Sequence, residues 1–184
     1  MKRFLLLLTI VIVFISCNDS DDNVAIVIPP VSQLPAETQI GANTFGCLID
    51  GQVFLPGYSS NSYQCFYQLI DGGYLFNVNA NNKKVSILTS IALGTMNLQI
   101  SQGQTYNLSE KIDGNAFGSY FIGDDNTGII NIFETSKING GQLRITKLDF
   151  TLNIVSGTFW YDIKDNQNVV HQIREGRFDM QFTQ

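Results

Sequence analysis

Apolar and polar residues alternate with a period of two through most of the chain after residue 40. Residues 45–49 and 159–163 each place large apolar side chains at every second position. The pattern returns at residues 169–173 and again at 177–182, where Asp179 is expected on the solvent face. Alternation of this kind is typical of β-strands that bury one face and expose the other.

Short turn motifs divide this part of the chain into strand-sized runs. Asp50-Gly51 and Asp71-Gly72-Gly73 each stand between two apolar runs, where such sequences form tight hairpin turns. A further turn is expected at residues 81–83, and no run has the period of a long helix. We therefore predict an all-β fold, an antiparallel β-sandwich or flattened β-barrel of about ten strands with essentially no helix.

The first 16 residues have a different pattern. Lys2 and Arg3 precede a mostly apolar run at residues 4–15, which is followed by Ser16-Cys17. This is the order of a secretory signal peptide, and the apolar run is shorter than the roughly 20 residues that span a bilayer. Residues 14–17 also resemble a bacterial lipobox. The sequence therefore predicts a signal peptide at 1–16 and lipidation of Cys17.

Residues 17–40 are expected to form an extended tether. Residues 18–23 are short, polar and acidic, and three prolines follow at positions 29, 30 and 35. Such a segment buries little and favours extended chain. Acidic residues directly after the lipidated cysteine also resemble the surface-export signals of Bacteroidota lipoproteins. The expected order is signal peptide, tether and one domain at 41–184, on an outer-membrane lipoprotein that faces the periplasm or the cell surface.

Charge narrows the range of partners. The chain has a formal net charge of −5 and no cluster of basic residues, which argues against nucleic-acid binding. The same composition argues against direct attachment to an anionic membrane surface. Membrane association is therefore expected through the lipid on Cys17, and the sequence leaves the oligomeric state open.

Cys47 and Cys65 are the two remaining cysteines. In an exported protein they could form a disulfide. They could equally be free thiols that pack as small apolar side chains in the core. The sequence leaves both alternatives open.

No motif for a catalytic or metal site stands out. His171 is the only histidine, lies within an apolar run and is expected to be an ordinary strand residue. Zinc sites usually need three or four histidine, cysteine or carboxylate ligands. Residues 123–128 are acidic but do not match an EF-hand loop, and are expected to form a turn. We therefore expect no catalytic residue, metal or cofactor.

Two carboxylates from distant strands could still form a hydrolytic pair. Asp149, Asp162, Glu175 and Asp179 lie on or beside expected strands, and a glycosidase needs only two carboxyl groups at a suitable separation. The alternation places these residues on the solvent face, where charged side chains are common. Surface carboxylates are therefore the preferred interpretation.

Trp160 is the candidate ligand-contact residue. It alternates to the side of Asp162, away from Phe159 and Tyr161. An exposed tryptophan on a sheet can stack against a sugar ring or anchor a protein partner, and a second layer could instead cover it.

Residues 38–47 (TQIGANTFGC) resemble the opening of a Bacteroidota lipoprotein family of unknown function. The blocks at 145–149 (ITKLD), 156–159 (SGTF) and 175–179 (EGRFD) resemble the closing strands of the same family. The resemblance implies an all-β lipoprotein of the cell envelope and supplies no catalytic residue.

These observations together favour a lipid-anchored envelope lipoprotein that is a non-enzymatic binding module for a glycan or an envelope protein. One alternative is a β-barrel carrier of a small apolar ligand, which would need a deep apolar cavity. The other is a carboxylate-dependent hydrolase, which would need two acids that converge in a cleft.

Overall fold

The computed structural model describes residues 28–59 and 61–184. One 3₁₀ helix, Pro30–Gln33, precedes eleven strands that belong to a single sheet. The strands are β1 (Thr44–Ile49), β2 (Gln52–Phe54), β3 (Tyr63–Ile70), β4 (Gly73–Lys84), β5 (Ile87–Thr95), β6 (Thr105–Leu108), β7 (Ala116–Asp124), β8 (Ile129–Glu134), β9 (Gly141–Asp149), β10 (Ile154–Lys164) and β11 (Val170–Gln181). The predicted all-β fold class is confirmed.

The sheet is mixed rather than wholly antiparallel. Its strand order is β2-β1-β11-β10-β9-β6-β7-β5-β4-β3, and β8 adds to β7. The β6–β7 pair is parallel and joins Leu108 to Ala116, whereas the other pairs are antiparallel. A period of two is the same for both directions, so the pattern could not reveal this pair.

The sheet curls so that one end meets the chain beyond β11. Thr183 forms a parallel bridge to Phe66 of β3. The Tyr67 amide donates to the Thr183 carbonyl at 2.9 Å, and the Thr183 amide donates to the Cys65 carbonyl at 3.1 Å. This curvature is consistent with a sandwich or a flattened barrel.

The inner faces of the strands form an aromatic-rich core. Tyr161 is fully buried, and its hydroxyl donates to the Ser119 carbonyl at 2.9 Å. The rings of Phe45 and Phe159 lie 5.4 Å apart. Neighbouring glycines make room for these rings, since a Cβ at Gly118 would lie 2.9 Å from the Tyr161 ring.

Two predicted hairpin turns are confirmed and the third is displaced. Asp50-Gly51 and Asp71-Gly72 have positive φ at both positions, as type I′ turns require. Residues 81–83 instead continue β4, and the chain reverses at Val85-Ser86. Val85 has φ of 56°, a conformation that a β-branched residue rarely adopts. The polar residues 81–83 therefore predicted the turn a few positions too early.

The described end of the expected tether packs against the sheet. Leu34 is buried, and Leu34 and Pro35 cover Gly46 so closely that a Cβ there would lie 2.7 Å from Pro35 Cδ. The folded part therefore begins before the expected boundary at residue 41. The expected signal peptide, the lipobox and Cys17 lie outside the described residues.

No helix in residues 28–59 and 61–184 is long and apolar enough to cross a membrane.

Candidate ligand-binding cleft

Trp160 lies on the outer face of β10 and is 42 % exposed. Its partner across the β10–β9 ladder is Gln142. The guanidinium carbon of Arg174 lies 5.4 Å from the centroid of the indole ring. One face of the ring is therefore next to a cation, and a substantial part of the side chain is open to solvent.

A cleft of about 520 Å³ lies beside Trp160 on four neighbouring strands, β6, β9, β10 and β11. A row of polar side chains crosses these strands in register and lines the cleft: Thr105, Arg144, Thr158 and Arg177. Glu37, from the segment before β1, also contributes to the lining. The cleft is therefore assembled from segments that are far apart in the sequence.

A bulge in β11 shapes one side of the cleft. Phe159 pairs with Gly176 and Tyr161 with Ile173, so Arg174 and Glu175 together oppose the single residue Trp160. Glu175 has φ of 53°, and a Cβ at Gly176 would lie 2.4 Å from the Phe159 ring. The bulge therefore places Arg174 beside Trp160, and it joins the two strands expected at 169–173 and 177–182 into one.

The three arginines of the cleft differ in their partners. Arg174 donates to Asp162 Oδ1 at 2.5 Å and to the carbonyls of Tyr161 and Ile173 at 3.1 and 2.9 Å. Arg177 donates to the carbonyl of Glu175 at 3.2 Å and to its carboxylate at 3.4 Å. Arg144 is exposed and has neither an ion pair nor a side-chain hydrogen bond within the described residues.

Trp160 also lines a second depression of about 640 Å³, and it is the one residue that the two linings share. Its lining is about equally polar and apolar, and the polar side chains include Asn107, Asn115, Ser136 and Lys137. Trp160 therefore stands between two adjoining depressions, an arrangement that suits an elongated ligand better than a compact one.

Asp179 holds the N-terminal wall of the cleft, and its expected solvent exposure is wrong. It is 1 % exposed, because residues 38–42 cover the outer face of β11 at this position. Its carboxylate accepts from the hydroxyls of Thr38 and Ser156 at 2.6 and 2.8 Å. It also accepts from the backbone amides of Ile40, Gly41 and Ala42 at 3.0, 2.8 and 3.1 Å.

The environment of Asp179 favours the charged form. Burial raises the pKa of this carboxyl, but the hydrogen bonds from hydroxyl and amide groups outweigh burial and lower the pKa to about 2. At neutral pH Asp179 therefore acts as an ionised clamp between β11 and the segment that leads to Glu37.

The other three carboxylates considered for hydrolysis also have local partners. Asp149 accepts from the Thr151 and Leu152 amides and pairs with Lys147 at 3.1 Å. These hydrogen bonds, led by that of Leu152, lower the pKa of Asp149. Asp162 and Glu175 pair with the arginines of the cleft. Structural contacts therefore account for all four groups.

His171 lies in β11, as expected, between two carboxylates. Its Nδ1 is 2.7 Å from Asp50 Oδ2, and its Nε2 is 3.5 Å from Asp165 Oδ2. Its ring lies 5.4 Å from the Tyr120 ring. Asp50 also accepts from the Gln172 amide at 2.8 Å, so the group ties the β1–β2 turn to β11.

Cys47 and Cys65 are both buried and free. They lie on β1 and β3, which are not neighbours in the sheet. Burial raises the pKa of both thiols, which disfavours the reactive thiolate. Of the two alternatives left open by the sequence, the structure has the free core thiols and not the disulfide.

The acidic loop at 123–128 is stabilised by its own residues. Asp124 accepts from the Asn126 amide at 3.0 Å and the Thr127 hydroxyl at 3.1 Å, and Asp125 pairs with Lys83. Within residues 28–59 and 61–184, no group of three or more histidine, cysteine or acidic residues is arranged to hold a metal ion.

A more apolar pocket of about 400 Å³ lies away from Trp160. Ile49, Phe54, Ile87 and Tyr120 contribute to its lining, together with Lys84 at the rim. This pocket is the feature that bears on the apolar-carrier alternative.

Comparisons of the chain with protein-family models, with curated proteins and with solved structures found no match in any of the three. The functional argument therefore depends on the geometry of the cleft.

Sequence reasoning singled out Trp160 but not the side chains around it. Arg144 and Arg177 alternate with buried residues on their strands, so the sequence pattern alone predicts that both face outward. The strand order that brings them beside Trp160 could not be predicted, because a period-two pattern does not state which strands are neighbours.

Proposed function

We propose that the chain is an exported lipoprotein, anchored at Cys17 in the outer membrane of the cell envelope, whose domain binds glycan chains without transforming them. The single observation that carries the binding proposal is the half-exposed Trp160 between two adjoining depressions. Aromatic rings provide an apolar platform for sugar rings, and the surrounding threonine, glutamine, asparagine and arginine side chains provide hydrogen-bonding groups for hydroxyls.

Three features support a glycan over the alternatives. The depressions beside Trp160 are open and about as polar as they are apolar, whereas sites for small apolar ligands are enclosed and mainly apolar. Asp162 and Glu175 are engaged in ion pairs and Asp179 in its clamp, so Glu37 has no second unpaired acid beside it in the part of the cleft that the structure describes. The resemblance to envelope lipoproteins and the lipobox agree with exposure to envelope polysaccharides.

The apolar pocket favours a second candidate function, which is to carry a small apolar ligand. Ile49, Phe54 and Ile87 could contact a small apolar molecule there. Its volume of about 400 Å³ lies within the usual range for ligand pockets. Binding at this pocket would be independent of Trp160.

A thermal-shift screen against neutral and acidic oligosaccharides and fatty acids tests the proposal. We expect an oligosaccharide to raise the melting temperature, and Trp160→Ala to abolish that shift. Tyr58→Ala is the matched control, because Tyr58 is fully exposed and lines neither depression. A shift from fatty acids alone, retained in Trp160→Ala, would replace the proposal with the apolar-carrier function.

The lipid anchor has its own test. We expect the mature protein to lack residues 1–16 and to carry acyl chains on Cys17, since the cysteine of a lipobox is acylated and becomes the new N-terminus. Intact-mass and peptide analysis of membrane fractions measures both features. A chain that retains residues 1–16 with an unmodified thiol would contradict the anchor.

A further inference from the structure

The arginines of the chain are concentrated at one place. The chain contains four arginines, and the three beyond Arg3 are Arg144, Arg174 and Arg177. All three line the same cleft beside Trp160. The chain as a whole has a net charge of −5, so three arginines on one outer face distinguish the cleft from the rest of the molecule.

Two of these guanidinium groups are already held in position. Arg174 is fixed by Asp162 and two backbone carbonyls while it lies over Trp160. Arg177 is 14 % exposed at its side chain and is held by Glu175. Both groups therefore form part of the framework of the cleft, with much of their charge compensated.

Arg144 differs because its guanidinium has no protein partner within the described residues. A guanidinium presents a planar set of donors that matches a carboxylate or a sulfate with two parallel hydrogen bonds. Arg144 pairs with Thr158, whereas Trp160 pairs with Gln142, so Arg144 is a diagonal neighbour of Trp160. Diagonal neighbours of this kind lie about 7–8 Å apart.

We infer that the cleft binds an acidic glycan, with a sugar ring on Trp160 and its oxyanion on Arg144. This inference rests on the proposed function and specifies its ligand class. The shared chemistry is an oxyanion carried by a pyranose ring, either a uronate carboxylate or a sulfate ester.

The fluorescence of Trp160, the only tryptophan of the chain, tests the inference directly. The full chain in detergent is titrated with oligogalacturonate and with its methyl ester, which has the same backbone without the charge. Dextran sulfate and dextran form a second pair that separates sulfate from carboxylate recognition. We expect the acidic member of at least one pair to bind about tenfold more tightly than its neutral partner.

The matched variants are Arg144→Gln and Lys164→Gln, since Lys164 is an exposed cation on β10 outside the cleft. We expect Arg144→Gln to remove the preference for the acidic member, and Lys164→Gln to keep it. Equal binding of acidic and neutral members would overturn the inference and leave the proposed function standing. A preference retained in Arg144→Gln would also overturn it, and the failure of every saccharide to change Trp160 fluorescence would defeat both proposals.

Discussion

At the scale of single residues, an opening block at 38–47 and a closing block at 175–179 meet at one carboxylate. Asp179 belongs to the closing block, and its hydrogen-bond donors include Thr38, Gly41 and Ala42 of the opening block. Asn43 of the same block accepts from the Gln181 amide at 3.0 Å. The blocks therefore have a structural role, which is to hold the N-terminal segment against β11 and β10.

Replacing Asp179 tests this role. We expect Asp179→Asn to lower the free energy of unfolding at pH 7 by about 2 kcal/mol, since a pKa lowered from 3.8 to about 2 corresponds to that stabilisation. Urea denaturation measures the loss. The control is Asp113→Asn, because Asp113 is exposed and has no side-chain hydrogen bond within the described residues.

The same clamp predicts a pH dependence. Because the folded pKa of Asp179 is below its unfolded value, its contribution is complete above about pH 4 and disappears as the pH falls toward 2. Wild-type protein should lose this increment over that interval, and Asp179→Asn should not. Parallel acid curves for the two proteins would contradict the clamp.

Asp179 also shows what the alternation could and could not predict. The side chain has the outward parity that the pattern predicted, but residues 34–42 cover that part of the sheet. Val85 is a second example, because no β-branched residue is expected at a positive φ. At Asp179 tertiary contacts override a correct local rule, whereas at the exposed Val85 the pairing of Lys84 with Ile87 in the β4–β5 hairpin sets the position of the turn.

At the scale of the element, the bulge in β11 determines which side chains reach the cleft. A bulge adds one residue to one strand, so the alternation of inward and outward residues along the sequence shifts by one position at the bulge. Two apolar runs separated by residues 174–176 were predicted as separate strands. Their continuity could not be predicted, since an interrupted alternation has the same appearance as a loop.

Deleting Glu175 should remove the bulge and leave the two faces of β11 unchanged, because Arg174 alone would then oppose Trp160 while Ile173 still opposes Tyr161. We expect this deletion to cost on the order of 1 kcal/mol. Thermal unfolding measures the loss. Deleting Gln167, an exposed residue of the turn before β11, is the matched control and should cost a similar amount. A much larger loss for the Glu175 deletion would contradict the assignment of Glu175 as the extra residue of the bulge.

At the scale of the whole molecule, one curled sheet both buries the core and builds the cleft. The all-β class and the Asp-Gly hairpins could be predicted, because they follow from local patterns. The parallel β6–β7 pair and the four-strand floor of the cleft could not, because they depend on strand order.

The burial of Cys47 and Cys65 makes their reactivity a measure of global unfolding. We expect both to resist alkylation in the native protein, since burial raises the pKa of each thiol and blocks reagent access. Both should react in denaturant without reductant, as peptide mass analysis would show. Thiols that react in denaturant only after reduction would indicate a disulfide and contradict the free state.

The most direct test of the binding cleft is the indole N–H resonance of Trp160 in a ¹⁵N-labelled sample, since the chain has one tryptophan. The sample is titrated with the oligosaccharide that raises the melting temperature most. We expect this resonance to shift and saturate together with the thermal effect. An unchanged indole resonance while the oligosaccharide stabilises the protein would contradict the assignment of the cleft as the binding site.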